Sequence, residues 1–179
     1  YIARHCAKAL DEQQLTQWRC LRDRISERLQ AMPQVFVHRD YHSRNLMVSG
    51  DRLVTIDFQD AVIGPRTYDL VSLLRDSYID WPDETVHALQ TLFWQECVHK
   101  GLHANDSLEQ IRDEFAWVAV QRHLKVLGIF ARLSLRDGKH AYLKDIPLTW
   151  HHLQRAIQSL PELAELALFI EPFGPKNQG

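Results

Sequence analysis

Apolar residues at Leu15, Trp18, Leu21, Ile25 and Leu29 fall three or four positions apart between Asp11 and Gln30, and Met32-Pro33 closes the stretch. That period puts them on one face of an amphipathic helix. The pattern then changes. Val35-Phe36-Val37, Leu46-Met47-Val48 and Leu53-Val54-Thr55-Ile56 are short β-type runs, and Ser49-Gly50-Asp51 supplies the turn of a hairpin between the last two. After Gly64-Pro65 the β pattern ends and helical spacing returns over 67–79, 83–100, 107–136, 146–159 and 161–171. Pro82-Asp83-Glu84 signals a helix start, while Ser107 with Gln110 and Ser159 with Glu162 have the spacing of capping boxes. The tail FGPKNQG reads as frayed. These elements predict a mainly α chain with a small β insert, a single domain over 1–179. Within it, 33–66 holds loops at strand ends and 67–171 is a helical subdomain.

Composition narrows the class. With 179 residues, 45% hydrophobic and 25% charged, the chain has an ordinary globular make-up. A domain of this length buries roughly 70% of its unfolded surface. The formal net charge of -2, from 21 basic and 23 acidic residues, gives no global attraction to nucleic acid or to a membrane, so neither is expected as a partner. Cys6, Cys20 and Cys97 are odd in number, far apart and without a C-x-x-C spacing, which predicts reduced thiols and a cytoplasmic location. No uninterrupted apolar run approaches eighteen residues, and no signal peptide is visible. The opening YIARHCAKALDEQQ lacks an initiator Met and reads as a cut inside a larger protein.

The chemistry concentrates in HRDYHSRNLMVSGDRLVTIDFQDA, residues 38–61. Asp40 and Asn45 lie on a loop leaving a strand, close enough in sequence to face one small volume. A carboxylate there can orient a hydroxyl and accept its proton. An amide oxygen offers a neutral ligand to a hard cation, and Asp57, ending the third strand, offers a charged one. Mg²⁺ prefers a few protein oxygens together with phosphate oxygens and water. Base, amide and second carboxylate are the parts phosphoryl transfer needs. A different chemistry also fits the first cluster, because His38, Asp40 and His42 stand at alternate positions as in some metallohydrolase sites. Such a site wants further ligands at strand ends, whereas His87, His99 and His103 fall in helical stretches.

The spacing H-x-D-x-x-x-x-N, followed by a strand and Asp57-Phe58, resembles the catalytic and metal-binding segments of protein-kinase-like enzymes. Gln59 replaces the glycine of D-F-G. With His42 and IDFQDAVIGPRTYDLVSLL, the segment is more similar to the aminoglycoside phosphotransferase family of small-molecule kinases. WVAVQRHLKVLGIFARLSLRDGKHAYLKDIP resembles one branch of it, bacterial anomeric sugar kinases that phosphorylate N-acetylmuramate and N-acetylglucosamine in cell-wall recycling.

The resemblance implies Asp40 as catalytic base, Asn45 and Asp57 as ligands of Mg²⁺ in an ATP complex, and a phosphate or loop contact for His42. It implies that His38 holds the loop backbone and that Asp69 braces the loop from the next helix. It also implies a separate N-terminal lobe carrying the nucleotide-covering loop. No G-x-G-x-x-G occurs in this chain. The expectation is therefore a kinase-like C-terminal lobe without its N-terminal lobe, inactive alone, whose partners are a sugar and that missing lobe.

Arg44 and Asp60 flank the two clusters. On the long helix, Arg132 and Arg136 each lie within about 20° of Lys125 in projection, since steps of seven and eleven residues nearly close whole turns. That basic stripe, flanked by Gln121 and Gly128, is a candidate for an acidic sugar's carboxylate or a solvated helix face. Trp117 and Trp150 fit a core role better than a sugar-stacking one. Aminoglycoside, choline or homoserine kinases, and a non-catalytic kinase-like binding module, stay open as alternatives.

Overall fold

The structure, a computed structural model, describes residues 1, 2, 6, 8–102 and 105–175. His103 and the last four residues of the tail lie outside the described residues. The elements run α1 (Glu12–Gln30), β1 (Gln34–Val37), a 3₁₀ turn (Ser43–Asn45), β2 (Leu46–Ser49), β3 (Arg52–Thr55), β4 (Val62–Pro65), α2 (Tyr68–Leu74), α3 (Asp83–His99) and α4 (Leu108–Asp137). A 3₁₀ turn (His140–Asp145) leads to α5 (Ile146–Gln158), and α6 (Ala164–Ile170) lies between 3₁₀ turns at Pro161–Leu163 and Glu171–Phe173. The chain is mainly α with two small sheets, and it divides into two compact units: Leu29–Val118, and Tyr1–Arg28 with Ala119–Gly179.

In the unit Leu29–Val118, β2 and β3 form the expected hairpin, with Leu46 opposite Thr55 and Ser49 opposite Arg52. Gly50 turns it at φ 58, a conformation that favours glycine. The fourth strand, Val62–Pro65, is a correction to the sequence reading: it pairs antiparallel with β1, Val35 facing Gly64 and Val37 facing Val62. Four residues ending in Gly-Pro are too short to show alternation, and the partner strand lies far back in the chain. A side chain at Gly64 would meet Val37 Cγ2 at 2.9 Å, so the pairing depends on glycine there. The strands leave much apolar surface open: Phe36, Val48, Phe58 and Ile63 are each more than 65% exposed.

The helix expected over 67–79 stops at Leu74. The buried Arg75 donates to the Trp81 carbonyl at 3.3 Å and to Asp83 Oδ1 at 2.6 Å, closing the segment 76–82 as a loop. Burial pulls the Arg75 guanidinium below its ordinary pKa, and the charge of Asp80 partly restores it. Behind the strands, buried Arg66 forks onto Glu114 with two bonds of 2.8 Å and also bonds Asp106. Burial alone would lower the Arg66 pKa, yet the bonds to Glu114 and then Asp106 outweigh it and leave it raised.

In the other unit, Asp11 and Gln14 cap α1 reciprocally: the Gln14 N–H donates to Asp11 Oδ1 at 2.8 Å and the Asp11 N–H to Gln14 Oε1 at 3.0 Å. Leu21 and Ile25 are buried on α1, and Trp18 stacks on Phe169 with ring centroids 6.0 Å apart. The second half of α4 buries Val120, His123, Leu127, Phe130, Ala131 and Ser134, an i, i+3, i+4, i+7 stripe. Trp150 is buried too, as is Trp117 in the first unit, so both tryptophans are core. Leu124, Leu127, Gly128 and Trp150 line a largely apolar cavity of about 280 Å³.

Two capping expectations diverge. Ser107 Oγ accepts from the Gln110 N–H at 3.1 Å. Ser159 instead donates backward to the Ala156 carbonyl at 2.8 Å, because it closes α5 in helical geometry rather than opening the next helix. Among the described residues no helix is long and apolar enough to cross a membrane.

Candidate active site

The turn that carries Asp40 is fixed from three sides. Both oxygens of Asp69, in the first turn of α2, accept backbone N–H groups, from His38 at 2.7 Å and from Arg39 at 2.9 Å. Ser72, one helical step further along, donates from Oγ to the Arg39 carbonyl at 3.2 Å. Arg39 is therefore held at both backbone groups, and it adopts φ 74, a left-handed conformation that costs roughly 1–2 kcal/mol for a residue with a Cβ. Its guanidinium reaches the Asp60 carbonyl at 3.2 Å.

His38 is buried, and its Nε2 lies 2.9 Å from the Ile56 carbonyl. A carbonyl only accepts, so Nε2 carries the proton and the ring ties the turn to the end of β3. Nδ1 is buried and has no hydrogen-bond partner among the described residues. The Ile56 N–H in turn donates to the Asn45 carbonyl at 3.0 Å. That bond extends the β2–β3 ladder by one pair and brings Asn45 beside the approach to Asp57.

Asn45 Nδ2 donates to the Asp40 carbonyl at 2.9 Å, and the Asp40 carbonyl also accepts the His42 N–H at 3.0 Å. The amide nitrogen is thus spent on the turn, which aims the side-chain oxygen away from it. Asp57 has φ 68, the second non-glycine residue in the left-handed region. Its Oδ1 accepts from Gln59 Nε2 at 2.7 Å. The Asp40 carboxylate makes no side-chain hydrogen bond among the described residues, and it is half-buried.

The donor set suits a hard cation: one amide oxygen fixed by its own nitrogen's bond and one carboxylate oriented on one side. The alternate-position reading does not hold together in the same way, because His38 is committed to Ile56 and the His42 ring lies edge-on to Tyr78, centroids 5.9 Å apart. Among the described residues no three His, Cys, Asp or Glu side chains converge as a metal site.

Arg44 is exposed, with its guanidinium carbon 3.3 Å from the centre of the Tyr78 ring. Lys125, Arg132 and Arg136 lie on the part of α4 that belongs to the second unit. There Lys125 is half-buried and Arg132 exposed. Arg136 forks onto its neighbour Asp137 at 2.6 and 3.2 Å, and that bond, first among the causes, holds the Asp137 carboxyl below its ordinary pKa. Arg39, Gln59, Ser72 and Tyr78 were not singled out by sequence reasoning. Only the spacing of Ser72 from Asp69, one turn apart on a helix, could have pointed to any of them.

Comparison with known proteins adds a family. The profile of the phosphotransferase enzyme family (APH) matches residues 1–96, more than half of the chain and all of the turn and hairpin. The chain belongs to this family. An N-acetylmuramate/N-acetylglucosamine kinase of Pseudomonas aeruginosa is 42% identical over 166 residues, covering 93% of this chain and 49% of that protein. A kinase of the same name from Neisseria meningitidis serogroup B is 42% identical over 178 residues, 99% of this chain and 53% of that protein. One from Caulobacter vibrioides is 32% identical over 174 residues, 93% of this chain and 46% of that protein. The chain spans about half the length of the curated relatives it matches.

Proposed function

We propose that this chain is the C-terminal, catalytic lobe of an ATP- and Mg²⁺-dependent sugar kinase acting on the anomeric hydroxyl of N-acetylmuramate or N-acetylglucosamine. The names of the relatives support the substrate class. The observation that carries the chemistry is Asn45, which bonds the Asp40 carbonyl through its amide and the Ile56 N–H through its backbone. One residue thereby couples the turn bearing the base to the hairpin end bearing Asp57.

Asp40 orients the sugar hydroxyl and takes its proton as the oxygen attacks the γ-phosphorus. The bond from that phosphorus to the bridging oxygen breaks, and ADP leaves. Asn45 and Asp57 hold the metal. Mg²⁺ held there would supply positive charge to offset the charge that develops on the phosphate. Asp69, His38 and Ser72 do no chemistry; they hold the turn against thermal drift, so the base needs no reorganisation at the moment of transfer. The exposed apolar side chains Phe36, Val48, Phe58 and Ile63 fit a surface covered by an N-terminal lobe of the same polypeptide, which would also close the nucleotide site. On this reading the lobe alone does not turn over, and the enzyme works in the cytoplasm, where its ATP is.

The test is phosphorus NMR on the full-length protein with ATP, Mg²⁺ and a panel of N-acetylmuramate, N-acetylglucosamine, kanamycin and choline. An anomeric sugar phosphate is expected, and Asp40→Asn should lower its rate of formation by about 10²–10⁴-fold. Product from kanamycin or choline alone would reject the sugar while keeping phosphoryl transfer. Full activity in Asp40→Asn would reject the base.

A further inference from the structure

The loop 76–82, whose first four residues the helical spacing over 67–79 included, comes back against the catalytic turn. Arg75 pins its far end through Trp81 and Asp83. Near its start, the buried Asp76 stands 3.5 Å from Ser43 Oγ, at the long limit of a hydrogen bond. Between these anchors Tyr78 meets two residues of the turn at once. The Arg44 guanidinium carbon lies over its face, 3.3 Å from the ring centre, and the His42 ring stands nearly perpendicular to it at an interplanar angle of 82°. Ring faces attract cations and ring edges pack against other rings, so one aromatic side chain grips both sides of Ser43.

We propose that Tyr78 is a positioning residue of the phosphoryl-transfer site, clamping His42 and Arg44 so that the turn from Asp40 to Asn45 keeps one geometry. The inference rests on the phosphotransferase reading above. Asp69 and Ser72 fix the turn at its entry, at the backbone of His38 and Arg39. Within the turn the Asp40 carbonyl accepts from Asn45 Nδ2 and from the His42 N–H, and the side chains of His42 and Arg44 are held from outside it against Tyr78. Tyr78 restrains those two side chains through its ring.

A positioning role of this kind acts on the transition state more than on ground-state binding, so it separates kcat from KM. In the full-length protein, Tyr78→Leu is expected to lower kcat by about tenfold or more, with KM for ATP and sugar changed by less than about threefold. Tyr78→Phe keeps the ring and should restore kcat. In an Arg44→Met background, which already lacks the cation, Tyr78→Leu should cost less than it does alone. NMR of the Arg44 side chain gives a readout free of turnover: its protons are shifted upfield by the ring and should lose that shift in Tyr78→Leu but keep it in Tyr78→Phe.

Unchanged kcat in Tyr78→Leu, or equal losses in the Phe and Leu variants, would overturn the inference. So would an unshifted Arg44 resonance in the parent. A parent that phosphorylates none of the four acceptors would sink the functional reading and, with it, the catalytic part of the inference, whereas an active parent indifferent to Tyr78→Leu sinks the inference alone.

Discussion

Gln59 donates its amide to Asp57 Oδ1 at 2.7 Å, in the place where a protein kinase has glycine and no side chain at all. The bond occupies one carboxylate oxygen; if Asp57 holds the metal as proposed, Gln59 would orient it from outside the coordination sphere. Loss of such a partner typically weakens metal affinity by about 10–100-fold. In the full-length protein, Gln59→Ala should raise the Mg²⁺ concentration needed for half-maximal turnover by about tenfold, and Mn²⁺ binding followed by water-proton relaxation should weaken in parallel. Equal metal affinity in both proteins would mean that the backbone at φ 68 orients Asp57 unaided. Asp40, Asn45 and Asp57 stood out in the sequence because hydroxyl activation and cation binding admit few residue types. Gln59, Ser72 and Tyr78 did not, since each acts by touching a neighbour whose position only the folded chain defines.

Gly128 lies inside α4 at a point where an added Cβ would meet nothing within 4 Å, on the wall of the apolar cavity. A glycine in a helix interior costs roughly 0.5–1 kcal/mol against alanine, mostly as backbone entropy of the unfolded chain. Gly128→Ala should therefore stabilise the protein by about that amount, raising Tm by about 1–4 °C for a chain of this size. Calorimetry of the two proteins decides it, and a lower Tm would show that the cavity closes around the glycine. At this scale the long helices were legible because the i, i+3, i+4 stripe repeats over many turns. The strand Val62–Pro65 and the early end of α2 were not. The first depends on a partner far away in the chain, and the second on Arg75 reaching forward to Trp81 and Asp83, a tertiary bond that overrides local helical preference. Ser159 carried a helix-start pattern but stands where one helix closes, and a sequence window alone does not separate the two.

Of the two compact units, Leu29–Val118 is a continuous stretch, whereas the other is assembled from Tyr1–Arg28 and Ala119–Gly179. Both crossings fall inside helices, α1 and α4. This bears on the order in which the molecule is made. The continuous unit can complete its own contacts as soon as its last residue has been synthesised, while the split one must first close the whole intervening segment as a loop, at an entropic cost that grows with the logarithm of its length. Contacts between distant parts of a chain are the slow ones to form. Pulse-labelled hydrogen exchange during refolding should find amides of 29–118 protected ahead of those of 146–170, and the reverse order would contradict this. Asp40, Asn45 and Asp57 all lie in the early half, so on the proposed reading the chemistry of the chain is laid down before helices α5 and α6 have packed on one another.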